Sequence, residues 1–145
     1  MKRKEIMEKL AANMEKWQKV EDASVSSTGQ IIAKTQNPVV RLVMEIIQND
    51  SQRHYHVQQL IIDSLKKTAI NITPEEIGEV WGMIKKHIEI ENKTIQLAEE
   101  SLESLKSTKM VVQQYLLEYL MEDEKKHAKM LEALENVKQG LYPYG

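Results

Sequence analysis

The stretch Tyr119–Leu134, with the sequence YLMEDEKKHAKMLEAL, gives the clearest indication of how this chain folds. It contains no glycine or proline and reads as an uninterrupted helix, with Leu120 and Leu131 on one side. Glu124 and His127 are three residues apart and lie on that same apolar side, so both side chains are predicted to face a core. Because burying an unpaired carboxylate is costly, a glutamate on the core side needs a partner.

This inward pair has two interpretations. An E-x-x-H pair that faces into a helical bundle is the ligand arrangement of carboxylate metal proteins. Alternatively, Glu124 pairs with a lysine and His127 is a hydrogen-bonded core histidine. The segment alone favours neither interpretation, so the rest of the chain has to distinguish them.

Composition excludes several classes of protein. The 145 residues are predicted to form a single domain over 1–145, and the formal charge of −2 provides no basic face for nucleic acid and no membrane-binding signal. No apolar run approaches the roughly 20 residues of a membrane span, and the start MKRKEIMEKL has no apolar signal segment, so we expect a cytoplasmic protein. The absence of cysteine excludes disulfides, thiol catalysis and zinc ribbons.

Apolar periodicity and helix start signals predict four helices. The dipeptides Asn37-Pro38 and Thr73-Pro74 each place a capping residue before a proline, and Glu76 completes a capping box with Thr73. On the first helix the predicted core stripe includes Ile6, Leu10, Met14 and Trp17. The predicted helices cover residues 3–34, 38–67, 74–106 and 109–139.

Each of the first three helices also carries a titratable residue on its apolar stripe. These residues are Glu21, His54 and Glu91, and His87 lies one turn before Glu91. A shift of 73 residues places the second helix on the fourth, with His54 on His127 and Ser51 on Glu124. The repeat suggests two helical hairpins of common design, helices one and two and helices three and four.

Two hairpins that each offer an inward acid and an inward histidine resemble the ferritin and rubrerythrin superfamily, in particular its small rubrerythrin-like members. The resemblance implies an all-α, antiparallel four-helix bundle. In that family, helices one and three each supply a glutamate, helices two and four each supply E-x-x-H, and together they bind two irons. Glu91, Glu124 and His127 match this pattern, as does His54, whereas Ser51 occupies the place of a ligand glutamate.

The acidic ligand expected on the first helix matches the family pattern less directly. Gapless comparison with Glu91 reaches Gln18, which is not an ionic ligand. Glu21, one turn along, lies on the apolar stripe, and it is as far from the predicted bend as Ser51, so the two should lie at similar heights. We therefore take Glu21 as the candidate. Asp50 points about 100° away from Ser51 around the helix and is a poor replacement.

The ligand count predicts a reduced centre. A di-iron site uses about four carboxylates and two histidines, but this chain offers three carboxylates and two histidines. A single metal held by Glu91, Glu124, His127 and either His54 or Glu21 fits better. Mixed nitrogen and oxygen ligands suit iron, with manganese or zinc as alternatives. A bundle that has lost its metal remains the other possibility.

The connection over Thr68–Thr73 departs from the family, in which a long crossover joins helices two and three. Its six residues span at most roughly 20 Å, so helices two and three are antiparallel neighbours, helix two ends early, or hairpins exchange between two chains. We expect a homodimer. The predicted function is metal binding, with iron or peroxide handling, and the alternative is a non-enzymatic structural or interaction protein. No catalytic residue is identified, and enzymatic activity is left open.

Overall fold

The computed structural model describes residues 2–67, 70 and 72–140. This part of the chain contains four helices and no strand, which confirms the all-helical class. The helices are α1 (Arg3–Lys34), α2 (Pro38–Lys66), α3 (Pro74–Ser104) and α4 (Val111–Lys138). No helix in the described ranges combines the length and the apolar character that crossing a membrane requires.

Two of the helix starts are explained by local hydrogen bonds. The Asn37 side chain accepts from the backbone N–H groups of Val39 and Val40, at 2.9 Å and 3.1 Å, and a proline follows the cap. Thr73 and Glu76 form the reciprocal bonds of a capping box, at 3.2 Å and 3.3 Å. These bonds satisfy backbone donors that a helix terminus otherwise leaves unpaired.

The turn between α3 and α4 is longer than the sequence predicts. Helix α3 ends at Ser104 rather than near residue 106, and α4 begins at Val111 rather than 109. The reason is that Ser107 adopts a left-handed backbone conformation, with φ of 69°, which a right-handed helix cannot continue through. Helix α2 ends at Lys66, one residue before its predicted end.

Replacing Ser107 by glycine is expected to stabilise the chain. The left-handed conformation costs a residue with a Cβ atom about 1–2 kcal/mol, and glycine adopts it freely. Glycine also raises the conformational entropy of the unfolded chain, which offsets part of this stabilisation. We therefore expect a net rise of about 2–4 °C in melting temperature. Thermal unfolding monitored by circular dichroism measures this change in melting temperature. The control is Ser101→Gly inside α3, which should lower the melting temperature; a fall for both variants would contradict the prediction.

The described helices pack in pairs, α1 with α2 and α3 with α4. Contacts divide the chain into two compact units, Met1–Ile70 and Asn71–Gly145. We call them the first hairpin and the second hairpin. The single domain over 1–145 therefore stays a prediction. In the connection predicted over Thr68–Thr73, three residues (Thr68, Ala69 and Asn71) lie outside the described residues.

Polar contacts set the register of the first hairpin. At its open end, Lys66 Nζ contacts Glu15 Oε1 at 3.0 Å. At its closed end, Arg41 Nη1 donates to the backbone oxygens of Ile32 and Thr35, at 2.6 Å and 3.0 Å. The Arg41 contacts satisfy backbone carbonyls at the C-terminus of α1 that have no hydrogen-bond partner within the helix. The residue numbers fall along α2 as they rise along α1, as in a helical hairpin.

The buried line of α1 differs from its predicted core stripe. Ile6, Leu10 and Trp17 were expected to face the core, but all three are exposed, Trp17 by 52%. The prediction was wrong for these residues because two packed helices shield only the flanks that face each other. The buried residues of α1 are Ala11, Met14, Gln18, Glu21 and Thr28, so the prediction is confirmed for Met14 and for Glu21, the candidate ligand of this helix.

Candidate metal centre

Three potential metal ligands come together in the second hairpin, Glu91 from α3 and Glu124 and His127 from α4. One ligand atom of each lies within 4.8 Å of the other two. His127 Nδ1 is 3.6 Å from Glu91 Oε2 and 4.0 Å from Glu124 Oε2. We call these residues the carboxylate–histidine cluster. A metal that binds oxygen and nitrogen at about 2.0–2.2 Å holds neighbouring donors roughly 3–3.5 Å apart, so small side-chain movements would suffice.

Glu91 is the buried member of the cluster, and its two carboxylate oxygens have different surroundings. Oε1 accepts a hydrogen bond from His87 Nε2 at 2.9 Å, one turn earlier on α3. Oε2 is buried and has no hydrogen-bond donor among the described residues. A buried carboxylate oxygen without a donor is unfavourable. Glu91 therefore calls for a cation or a proton at the side that faces His127.

Thr94 links the two carboxylates of the cluster. Its hydroxyl oxygen lies 2.7 Å from the backbone oxygen of Glu91 and 2.7 Å from Glu124 Oε2. One hydroxyl proton can serve only one of these acceptors at a time. The Thr94 hydroxyl can therefore donate to Glu124 Oε2 and hold this carboxylate oxygen beside Glu91.

The electrostatics of Glu91 agree with this arrangement. The neighbouring Glu124 side chain lowers the pKa of Glu91 below its ordinary value of 4.5, although burial acts in the opposite direction. The hydrogen bond from His87 and the charges of His127 and His87 lower this pKa further. These interactions favour the ionised form of Glu91. A metal ion bound between the two carboxylates would neutralise their charge.

The first hairpin contains a related but weaker group. His54 Nδ1 lies 3.3 Å from Glu21 Oε2, and Gln58 Nε2 donates to the same oxygen at 3.2 Å. In place of the Thr94–Glu124 contact, the hydroxyls of Ser24 and Ser51 lie 2.7 Å apart. Glu21 and Ser51 are buried, whereas 59% of the His54 side chain is exposed. This hairpin thus pairs one carboxylate with one histidine and lacks the second acid.

The helix ends show why the hairpins do not align with a single shift. A shift of 70 residues takes the end of α1 at Lys34 to the end of α3 at Ser104. A shift of 73 takes the start of α2 at Pro38 to the start of α4 at Val111. The difference arises because the turn 105–110 contains three more residues than the turn 35–37. The first helices therefore correspond by 70 residues and the second helices by 73.

With these shifts, the polar groups of the two hairpins correspond residue by residue. The pairs are Glu21 and Glu91, Ser24 and Thr94, Ser51 and Glu124, and His54 and His127. Gapless comparison placed Gln18 opposite Glu91 only because it ignored the longer turn. Glu21, chosen from its height and its position on the apolar stripe, is the counterpart of Glu91. Ser51 is the position at which the first hairpin lacks a ligand.

The five sequence-predicted ligands thus fall into two groups. Glu91, Glu124 and His127 meet in the second hairpin, and Glu21 and His54 meet in the first. Three further polar residues contact these groups without a role predicted from the sequence, namely His87, Thr94 and Gln58. Each lies one turn from a candidate ligand on its own helix, and this spacing was the available signal. Their hydrogen-bond partners could not be read from spacing alone.

Comparison with protein-family models, with curated protein sequences and with solved structures finds no match to this chain. Chemical inference therefore rests on the cluster itself. Two carboxylates and one imidazole form a mixed oxygen and nitrogen donor set of the kind that suits iron, manganese or zinc. Three protein ligands also leave coordination positions for water or a small molecule.

Proposed function

We propose that this protein is a ferritin-like metal-binding protein that holds one divalent ion at Glu91, Glu124 and His127. Iron is the first candidate, and manganese and zinc are the alternatives. The observation that carries the proposal is the buried Glu91 Oε2, which faces His127 and has no donor among the described residues. A cation bound there satisfies this oxygen, and its positive charge offsets the repulsion between two neighbouring carboxylates.

The cluster determines what each residue would contribute. Glu91 and Glu124 would supply charge, His127 would supply a neutral nitrogen ligand, and Thr94 would orient the Glu124 carboxylate by its 2.7 Å contact. A bound metal would supply Lewis-acid or redox chemistry at its open positions, which suits iron or peroxide handling. Glu21 and His54 of the first hairpin remain a second candidate pair with only two ligands.

Metal stoichiometry tests the proposal. Protein purified without a histidine tag is expected to contain metal, and anaerobic titration of metal-free protein with Fe(II), Mn(II) or Zn(II) should saturate near one ion per chain. Binding should also raise the melting temperature, because the ion binds the folded cluster and not the unfolded chain. Two ions per chain would bring in Glu21 and His54. No binding by any of the three metals would refute the proposal.

The second candidate function is a non-enzymatic interaction protein, and a repeated feature of the surface favours it. Large apolar side chains are exposed at equivalent positions of the two hairpins, namely Leu10 and Val80, Val20 and Ile90, Ile47 and Leu120, and Val57 and Met130. Exposed apolar side chains of this kind are typical of a protein–protein contact, and a second copy of the chain is the partner we propose. In this reading the polar cluster sets helix register.

The two functions differ in their response to a chelator. If the cluster binds metal, chelation should lower the melting temperature of the purified protein. If the cluster is only structural, chelation should have no effect, and the double replacement of Glu91 and Glu124 by glutamine should preserve or raise the melting temperature, because it removes two like charges.

A further inference from the structure

The buried carboxylates Glu21 and Glu91 occupy equivalent places but are held by different donors. In the first hairpin, Gln58 Nε2 and His54 Nδ1 both approach the same oxygen, Glu21 Oε2, at 3.2 Å and 3.3 Å. The amide of Gln58 therefore competes with any cation for the oxygen that faces the histidine. In the first hairpin, the glutamate oxygen that faces the histidine is thus already hydrogen-bonded.

In the second hairpin, the hydrogen-bond donor to the buried glutamate comes from a different position. The position equivalent to Gln58 is Leu131, which offers no side-chain donor. His87, where the first hairpin has Trp17, donates from one turn earlier on α3 to Glu91 Oε1 at 2.9 Å. The hydrogen bond thus fixes the carboxylate by its outer oxygen and leaves Oε2 directed at His127, 3.6 Å away.

We infer that His87 is a positioning residue of the metal centre, which holds Glu91 so that Oε2 is presented to the ion. This inference rests on the proposed function, because it assigns a role around the same cluster. His87 does not belong to the group of mutually close ligand atoms formed by Glu91, Glu124 and His127. Its Nε2 is engaged with Glu91 Oε1, and 54% of its side chain is exposed. Hydrogen bonds of this kind orient ligands and raise metal affinity.

The test compares His87→Leu with His87→Gln, using Co(II) as the probe metal. Leucine removes the donor, so Co(II) affinity should fall by about 10–100-fold, the usual effect of losing a partner that orients a ligand. Glutamine replaces the imidazole N–H with an amide N–H of similar reach, so affinity should recover to within a few-fold of the native protein. Stoichiometry and the visible Co(II) spectrum should stay unchanged in both variants, because the ligands are the same.

His56→Leu is the matched control, since it removes an exposed histidine from the first hairpin without touching the cluster. Native affinity in His87→Leu would overturn the inference, because His87 would then be an ordinary surface residue. An altered Co(II) spectrum in His87→Gln would also overturn it, because His87 would then be a ligand itself.

A measurement on the metal-free protein separates this inference from the proposed function. Absence of Co(II) binding by the native chain would count against the proposed function. The hydrogen bond can still be examined by long-range proton–nitrogen NMR, in which the neutral His87 ring is expected to carry its proton on Nε2. A ring protonated on Nδ1 would overturn the positioning role whether or not the protein binds metal.

Discussion

Glu124→Ala is expected to abolish stoichiometric metal binding while leaving the helices intact. The substitution removes one of three ligands, so the loss should exceed the roughly 10–100-fold effect of losing an orienting partner. Alanine is the strongest helix former, and the Glu124 side chain is partly exposed, so little packing is lost. Without metal, removal of a carboxylate next to Glu91 relieves repulsion, and the metal-free melting temperature should stay constant or rise.

Glu122→Ala is the control for this experiment. Glu122 is exposed on α4, two residues before Glu124 and pointing to another side of the helix, so the variant has the same charge change. It should bind metal as the native chain does, as measured by titration and by elemental analysis of the purified protein. Unchanged metal content in Glu124→Ala would refute the assignment of this residue as a ligand.

Ser51→Glu is expected to create a second metal site and raise the stoichiometry from one to two ions per chain. Ser51 is equivalent to Glu124, and Glu21 and His54 already lie 3.3 Å apart beside it. Ser24, which contacts Ser51 at 2.7 Å, offers the introduced carboxylate the hydroxyl that Thr94 offers Glu124. The new site should bind more weakly than the native one, because the first hairpin has no donor equivalent to His87.

Because Ser51 is buried, the Ser51→Glu experiment needs further variants as controls. Ser51 is 5% exposed, and a larger side chain there can cost about 1–3 kcal/mol, so the shorter Ser51→Asp is the second variant. Adding Gln58→Leu should strengthen binding at the new site, since it frees Glu21 Oε2 from the amide. Asn49→Glu, at an exposed position of α2, adds the same charge and should bind one ion. A folded Ser51→Glu protein that still binds one ion would contradict the correspondence of the hairpins.

Local sequence signals predicted the helices well, since helix formation depends on neighbouring residues. Asn37 and Thr73 satisfy the backbone donors of the turn that follows each of them, so the starts of α2 and α3 could be read from a few residues. The turn after α3 was less predictable. Ser107 is not a glycine, and its neighbouring residues give no signal that predicts its left-handed backbone conformation.

The spacing of residues along the sequence could not predict which side chains contact each other across a hairpin. Periodicity placed both Trp17 and Glu21 on the core side, but the hairpin contact buries Gln18 and Glu21 and leaves Trp17 exposed. A helix offers several neighbouring apolar stripes, and only the helix packed against it determines which becomes buried. For the same reason, the sequence offered both Gln18 and Glu21 as counterparts of Glu91, and Glu21 was chosen from its height in the hairpin and its position on the apolar stripe.

Sequence signals alone predicted that this protein is helical, where two of its helices begin, and which residues are candidate metal ligands. These properties follow from backbone propensity, capping and residue type, all of which act over a few positions. The tertiary structure was needed to show that His87 holds Glu91 Oε1, whereas Oε2 faces His127 without a donor among the described residues. That difference depends on the distances between side chains on two packed helices, which residue spacing along one helix does not determine.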